Sequence, residues 1–160
     1  MDLIKQYEDQ FNFIPGGFFM WSPYDKTIMY DQRRIKTQGG RLGLLHEICH
    51  GLLNHKIYKY DIELINMEMD AWELTRKLAG QYGIKVNEAH IASCIDTYDT
   101  WLSRRATCPD CKNFSLQKGR DSYGCFVCGS EWTVNWRKDR RVKRTITYRY
   151  EPPTLSNASA

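Results

Sequence analysis

Long apolar runs are missing from this chain of 160 residues, and histidine occurs only four times. No stretch approaches the roughly 18 consecutive apolar residues of a membrane-spanning helix, so no membrane partner is expected. The first residues, Met1-Asp2-Leu3-Ile4-Lys5, lack the basic-then-apolar order of a secretory signal, and a cytoplasmic location is the expectation. Internal repeats and long low-complexity segments are absent too, which sets repeat architectures aside. What remains is 42% hydrophobic and 26% charged, the composition of an ordinary globular chain with room for one domain and a small appendage.

Six cysteines stand against that background. In a reducing compartment closely paired cysteines are more often metal ligands than disulfides. Four fall in two C-x-x-C pairs, Cys108/Cys111 and Cys125/Cys128, while Cys49 and Cys94 stand alone. Charge is also uneven. The net +4 is concentrated in residues 137–150, where seven basic residues face Asp139 alone and residues 1–136 are left nearly neutral.

The coarse order of elements follows from periodicity and punctuation. Leu3, Ile4, Tyr7 and Phe11 have helical spacing, and Pro15-Gly16-Gly17 ends that segment. Phe18 to Trp21 and Thr27 to Tyr30 read as two strands joined by a turn. Gly39-Gly40 precedes a helix to about His55 whose leucines and Ile48 cover most of its girth, so it should be central and buried. Asp61 caps a second long helix reaching the Gly80/Gly83 region, and Asn87 a third. Along the third, Ile91, Cys94, Ile95, Tyr98, Trp101 and Leu102 form a stripe, and Arg104-Arg105 suit the helix dipole at its end. The expected class is α+β: a mainly helical core with a short sheet (residues 1–105), a small β module around the cysteines (106–136) and a basic tail (137–160) whose end, from Pro152, reads as disordered.

The buried helix carries His46-Glu47-Ile48-Cys49-His50. Residues four apart share one helix face, so His46 and His50 can put two imidazole nitrogens on one zinc ion. Glu47 lies at the edge of that face, where it can act as general base and pass the proton to a leaving amine. Burying two histidines and a glutamate among leucines is costly without a strong common partner. A third ligand is still required. On the helix from Asp61 to Ala79, Leu64, Ile65, Ala71, Trp72 and Leu78 form the apolar stripe, whereas Glu63, Asp70 and Glu73 lie opposite. Glu68 is the only ionised side chain on the apolar stripe and is assigned as third ligand, with Ala71 keeping the two helices close. His55 could approach the site from the helix end, and His90 reads as surface. Tyr58, Tyr60 and Tyr98 all stay open for a role at the site.

The stretch from about Phe18 to Leu78 resembles the ImmA/IrrE family of zinc metallopeptidases. Lys26-Thr27-Ile28-Met29-Tyr30 precedes the active helix, Leu44-Leu45-His46-Glu47-Ile48-Cys49-His50-Gly51 forms it, and Glu68-Met69-Asp70-Ala71-Trp72 resembles the family's E-x-x-A pattern. The resemblance implies a zincin-like core, zinc on His46, His50 and Glu68, Glu47 as base, and a protein substrate, often a DNA-binding repressor. Cys49 stands where the family commonly has Gly, and Asp70 where Glu is frequent. SprT-like proteases, which also join this motif to a zinc ribbon near DNA, are the rival resemblance. They draw a third histidine from downstream, where this chain has none between His55 and His90. The other alternative is a non-catalytic nucleic-acid- or protein-binding zinc module, against which the intact Glu47 argues.

The spacing of Cys108, Cys111, Cys125 and Cys128 reads as a zinc ribbon, a closed structural site with strands around Tyr123 to Val127 and Glu131 to Trp136. Two zinc ions per chain are therefore expected, one catalytic and one structural. Tyr123, Phe126, Trp132 and Trp136 adjoin the basic run, and Arg140, Arg141, Lys143 and Arg144 are the candidate contacts to DNA phosphates.

Overall fold

The computed structural model describes residues 2–136, 138 and 140–151. Arg137, Asp139 and the terminus from Pro152, which includes the segment expected to be disordered, lie outside the described residues. Among the described residues the fold is mixed α+β, with four α-helices and two small sheets. Contacts divide the chain into two compact units, Met1–Tyr98 and Asp99–Ala160.

In the first unit, α1 (Leu3–Tyr7) is capped by the Asp2 carboxylate, which accepts from the Ile4 N–H at 3.0 Å. Strands β1 (Asn12–Gly16), β2 (Met20–Ser22) and β3 (Thr27–Asp31) follow and pair in the order β1-β3-β2. The β2–β3 hairpin is the expected one, but β1 is an addition: Pro15 and Gly16 lie in a strand parallel to β3. An edge position explains this, since proline is tolerated where the missing N–H faces away from the ladder. Helix α2 (Gln38–Leu52) starts at Thr37, whose Oγ1 accepts from the Gly40 N–H at 3.0 Å. Gly39 and Gly40 therefore lie inside the first turn and do not precede it. Gly40 has a steric reason, because a Cβ there would sit 1.8 Å from the Arg34 carbonyl oxygen.

Helix α3 (Asp61–Ala79) is likewise capped one residue earlier than the sequence predicts, at Tyr60. The Glu63 carboxylate accepts from the N–H groups of Lys59 and Tyr60, and Asp61 is buried in the first turn. Helix α4 (Glu88–Ala106) has the expected Asn87 cap, whose Oδ1 accepts from the His90 N–H at 3.1 Å. Ile28, Leu42, Leu45, Ile48, Ala71, Trp72 and Ile91 form the centre of the core. No described helix is long and apolar enough to cross a membrane.

The second unit takes the last two turns of α4, so the chain divides some seven residues before the boundary read at 105/106. Its sheet runs β4-β5-β6-β7, with β4 (Leu116–Gly119), β5 (Ser122–Gly124), β6 (Glu131–Val134) and β7 (Arg144–Tyr148) all antiparallel. The middle strands occupy the expected places. The basic segment is not simply a tail, because it returns as β7 against β6. Arg105, which the dipole argument put at a solvated helix end, is 1% exposed. Its guanidinium donates to the carbonyls of Asn135 and Arg120 and stacks over the Trp101 ring, while its own carbonyl accepts from Trp132 Nε1 at 2.9 Å. One buried cation thus ties the end of α4 to the strands that follow.

Candidate functional site

Two side chains from α2 and one from α3 converge. His46 Nε2 lies 3.1 Å from His50 Nε2 and 3.2 Å from Glu68 Oε2, and His50 Nε2 lies 3.7 Å from the same carboxylate oxygen. Four-residue spacing stacks the two imidazoles on one face of α2, with ring centroids 4.6 Å apart. The position of Glu68 follows from the helical-face argument: it is 7% exposed, whereas Glu63, Asp70 and Glu73 are exposed. Trp72, one turn further along α3, stacks on the His46 ring at 3.8 Å and fixes its plane.

The donor set could hold a metal ion. Three ligand atoms held about 2.0–2.1 Å from a tetrahedral ion stand about 3.3 Å from one another, which matches these separations. Protonation agrees as well. Burial pushes the His46 imidazolium down to about 4, so the ring is neutral near pH 7. Burial alone would raise the Glu68 carboxyl, but hydrogen bonds from His46 and His50 outweigh it and hold the group below the usual carboxylate range. Neutral imidazoles and an ionised carboxylate are the forms that ligate.

Around this centre the structure adds residues whose roles the sequence left open. His55 closes on the site: its Nδ1 lies 2.8 Å from His50 Nδ1, and its carbonyl accepts from Trp21 Nε1 at 2.9 Å. The Nδ1 atoms of His50 and His55 face each other, and this contact orients the His50 ring as outer partners of metal ligands do. His46 Nδ1, by contrast, is buried with no hydrogen-bond partner among the described residues.

A cleft of about 420 Å³ opens over the centre. Its lining includes Phe18, Phe19, Arg34, Gly43, His46, Glu47, Glu68, Trp72, His90, Cys94 and Tyr98. Glu47 is half-buried on its wall. Of the three tyrosines left open, Tyr98 lines the cleft. Burial and then the adjacent Glu68 charge raise its hydroxyl far above the usual range, so it stays protonated as a donor. His90, read as a surface residue, is half-buried here: its Nε2 lies 3.7 Å from Cys94 Sγ and its ring meets Trp72 edge-on. His55 thus approaches from the end of α2 as expected, whereas no spacing in the sequence signals His90, which reaches the cleft through tertiary packing.

In the second unit Cys108, Cys111, Cys125 and Cys128 bring their sulfur atoms within 4.8 Å of one another. Cys108 Sγ is 3.6 Å from Cys128 Sγ and Cys111 Sγ 3.4 Å from Cys125 Sγ, far beyond a disulfide bond and close to the roughly 3.8 Å edge of a tetrahedron with 2.3 Å metal–sulfur bonds. The two C-x-x-C turns are alike. The Lys112 N–H donates to the Cys108 carbonyl at 3.1 Å and the Gly129 N–H to the Cys125 carbonyl at 2.9 Å, and both residues have positive φ (66° and 74°). Gly129 is the predicted tight-turn glycine; Lys112 takes the same conformation without that signal. Burial pushes the Cys108 thiol up to about 11. At Cys125 the Ser115 hydroxyl and backbone N–H groups overcome burial and bring the thiol down to about 6. Four sulfur atoms this close could hold a metal, whose binding would draw Cys108 into the thiolate form.

Arg140, Arg141, Lys143 and Arg144 are all exposed. Arg144 is partly engaged, donating from Nη1 to the Thr107 carbonyl at 2.7 Å. The stacking platform expected beside them needs correction. Tyr123 and Trp132 are buried and stack on each other at 5.6 Å in the core of the second unit, whereas Phe126 and Trp136 are 73% and 66% exposed. Alternation along β5 and β6 turns the first pair inward.

No protein-family model matches the chain, and no curated protein or solved structure matches it.

Proposed function

We propose that the chain is a zinc-dependent peptidase of the ImmA/IrrE type that hydrolyses an intracellular protein substrate, with a second, structural zinc in the ribbon. The observation that carries this reading is the convergence of His46, His50 and Glu68 at the floor of a cleft whose wall holds Glu47. Zinc bound there would supply Lewis acidity, polarising a peptide carbonyl and acidifying water. The chain supplies the rest. Glu47 takes the proton of the attacking water and passes it to the leaving amine. Tyr98, hydrogen-bonded to Glu68, helps to orient that carboxylate, and Phe18, half exposed, gives the cleft an apolar wall. Glu68 as third ligand favours this reading over a SprT-like one. His90, the only histidine beyond His55, does not join the ligand cluster.

Metal analysis of the purified chain tests the reading first. Two zinc ions per chain are expected, and Glu68→Ala should lower the count to one while Asp70→Ala leaves it at two. Retention of both ions by Glu68→Ala would remove the assigned ligand set.

A second reading concerns the basic segment. Four exposed cations, with Phe126 and Trp136 exposed in the same unit, support weak and sequence-tolerant DNA binding. Each phosphate contact adds close to one unit to the salt slope of affinity. Neutralising Arg140, Arg141, Lys143 and Arg144 together should therefore reduce both affinity and slope in fluorescence anisotropy. No binding of single- or double-stranded DNA at low salt takes nucleic acid out of the reading.

A further inference from the structure

Beside the cleft, the first unit holds a larger cavity of about 700 Å³, and the two share Arg34, Gly39 and His90 in their linings. Its polar chemistry is one-sided. Arg34 and Lys85 contribute two cations; the Arg34 guanidinium lies over the Phe19 ring at 5.2 Å, and neither charge has a carboxylate partner among the described residues. Glu88 is the one acid of the lining, and Arg76 takes it up, with Nε at 2.9 and 3.1 Å and Nη2 at 2.8 Å from its oxygens.

The amides in the lining are also committed on their acceptor side. Gln38 Oε1 accepts from the Lys85 N–H at 3.1 Å, and Asn87 Oδ1 from the His90 N–H at 3.1 Å. Those bonds need oxygens, so what each amide has left to offer is its NH2 group. Two unpaired cations and two amide donors thus share one cavity, with its single carboxylate neutralised. Such a lining suits an anion. The two linings meet at Arg34, Gly39 and His90, so a peptide bound in the cleft could present a side-chain carboxylate to the cavity.

We propose that this cavity is a specificity subsite that accepts an aspartate or glutamate side chain of the substrate at a fixed distance from the scissile bond. The proposal rests on the peptidase reading for the meaning of the cleft, but it is testable without turnover. Arg34, on the shared wall, and Lys85, in the second cavity only, are the recognising residues. Both sites are solvent-accessible, so the preference should weaken as salt rises.

The test uses the full-length, zinc-loaded Glu47→Gln protein and blocked, fluorescently labelled alanine-based octapeptides in which one glutamate is moved position by position. Each is compared with its glutamine counterpart by anisotropy. At one position the glutamate peptide should bind about tenfold tighter, as expected for charge-assisted hydrogen bonds. Arg34→Gln and Lys85→Gln should each remove most of that preference, with zinc content unchanged. Lys85→Glu should turn the preference toward a lysine peptide, a reversal that general loss of folding cannot produce. Equal binding of glutamate and glutamine peptides at every position overturns the subsite, whatever the wild type cleaves. A preference without cleavage of any peptide by the wild type keeps the subsite and overturns the peptidase reading. Competition by inorganic phosphate, sensitive to the same substitutions and unaccompanied by any glutamate preference, overturns the carboxylate assignment in favour of phosphate.

Discussion

Replacing Glu47 by glutamine should lower peptide hydrolysis by about a hundredfold to ten-thousandfold while both metal ions stay in place. Glutamine keeps the length and shape of the side chain but cannot take a proton. The residue stands on the cleft wall beside the ligand cluster and is not one of its members, so coordination by His46, His50 and Glu68 is untouched. That separates the substitution from Glu68→Ala, which should fail through metal loss. Rates are to be compared at matched zinc content, with labelled casein as a generic substrate and product formation followed by mass spectrometry. Equal rates for the two proteins would take the general-base role away from Glu47 and leave the His2Glu cluster as a metal site without the proposed chemistry. The non-catalytic reading makes a different prediction: no zinc-dependent cleavage by the wild type itself.

The parts of this molecule that could be read from its sequence are those whose geometry is local. His46 and His50 meet because four residues make about one helical turn, and Glu68 was separable from Glu63, Asp70 and Glu73 because only its position falls on the buried stripe. The cysteine turns are local in the same sense. What the sequence hid depends on distant partners. Strand β1 carries Pro15 and Gly16, which locally signal a break, and its place is set by pairing with Thr27–Asp31. Strand β7 lies in a run whose charges read as solvated, until register with β6 is known. Arg105 is buried because carbonyls some fifteen and thirty residues away receive its guanidinium. His90, inside α4, reads as surface in the sequence and comes to line the cleft only through tertiary packing. The cap of α3 is Tyr60, where the stronger capping propensity of its neighbour Asp61 points one residue too far, and α2 starts at Thr37, before the Gly39-Gly40 pair that reads as a break. The second cavity is the extreme case: Arg34 and the Lys85–Asn87 stretch lie some fifty residues apart, and no pattern in the sequence links them.

The second large effect concerns the ribbon. Its buried cluster consists of Ala106, Cys108, Tyr123, Cys125, Trp132 and Val134, with Cys111 and Cys128 packed against them. Half of that set is cysteine side chain, and a core this small cannot offset the chain entropy of ordering four strands. A structural zinc on four thiolates contributes on the order of 10–16 kcal/mol in apparent binding free energy near pH 7, all of it available to folding when the unfolded segment has no site. Removing the ion should therefore unfold the second unit and not merely loosen it. Cys125→Ser, or a strong chelator applied to the wild type, should abolish the near-ultraviolet dichroism of the stacked Tyr123–Trp132 pair and open the chain to protease between about residues 106 and 151. Arg105 then loses the Asn135 and Arg120 carbonyls that hold its buried charge, which adds to the cost of any partly folded state. In Glu68→Ala, by contrast, the first-unit ion is lost while the Tyr123–Trp132 signal and protease resistance of the ribbon persist. The combination distinguishes two independent metal sites from one shared stability effect. If the metal-free Cys125→Ser chain keeps its dichroism and its resistance over residues 106–151, the four cysteines are not what holds this unit together.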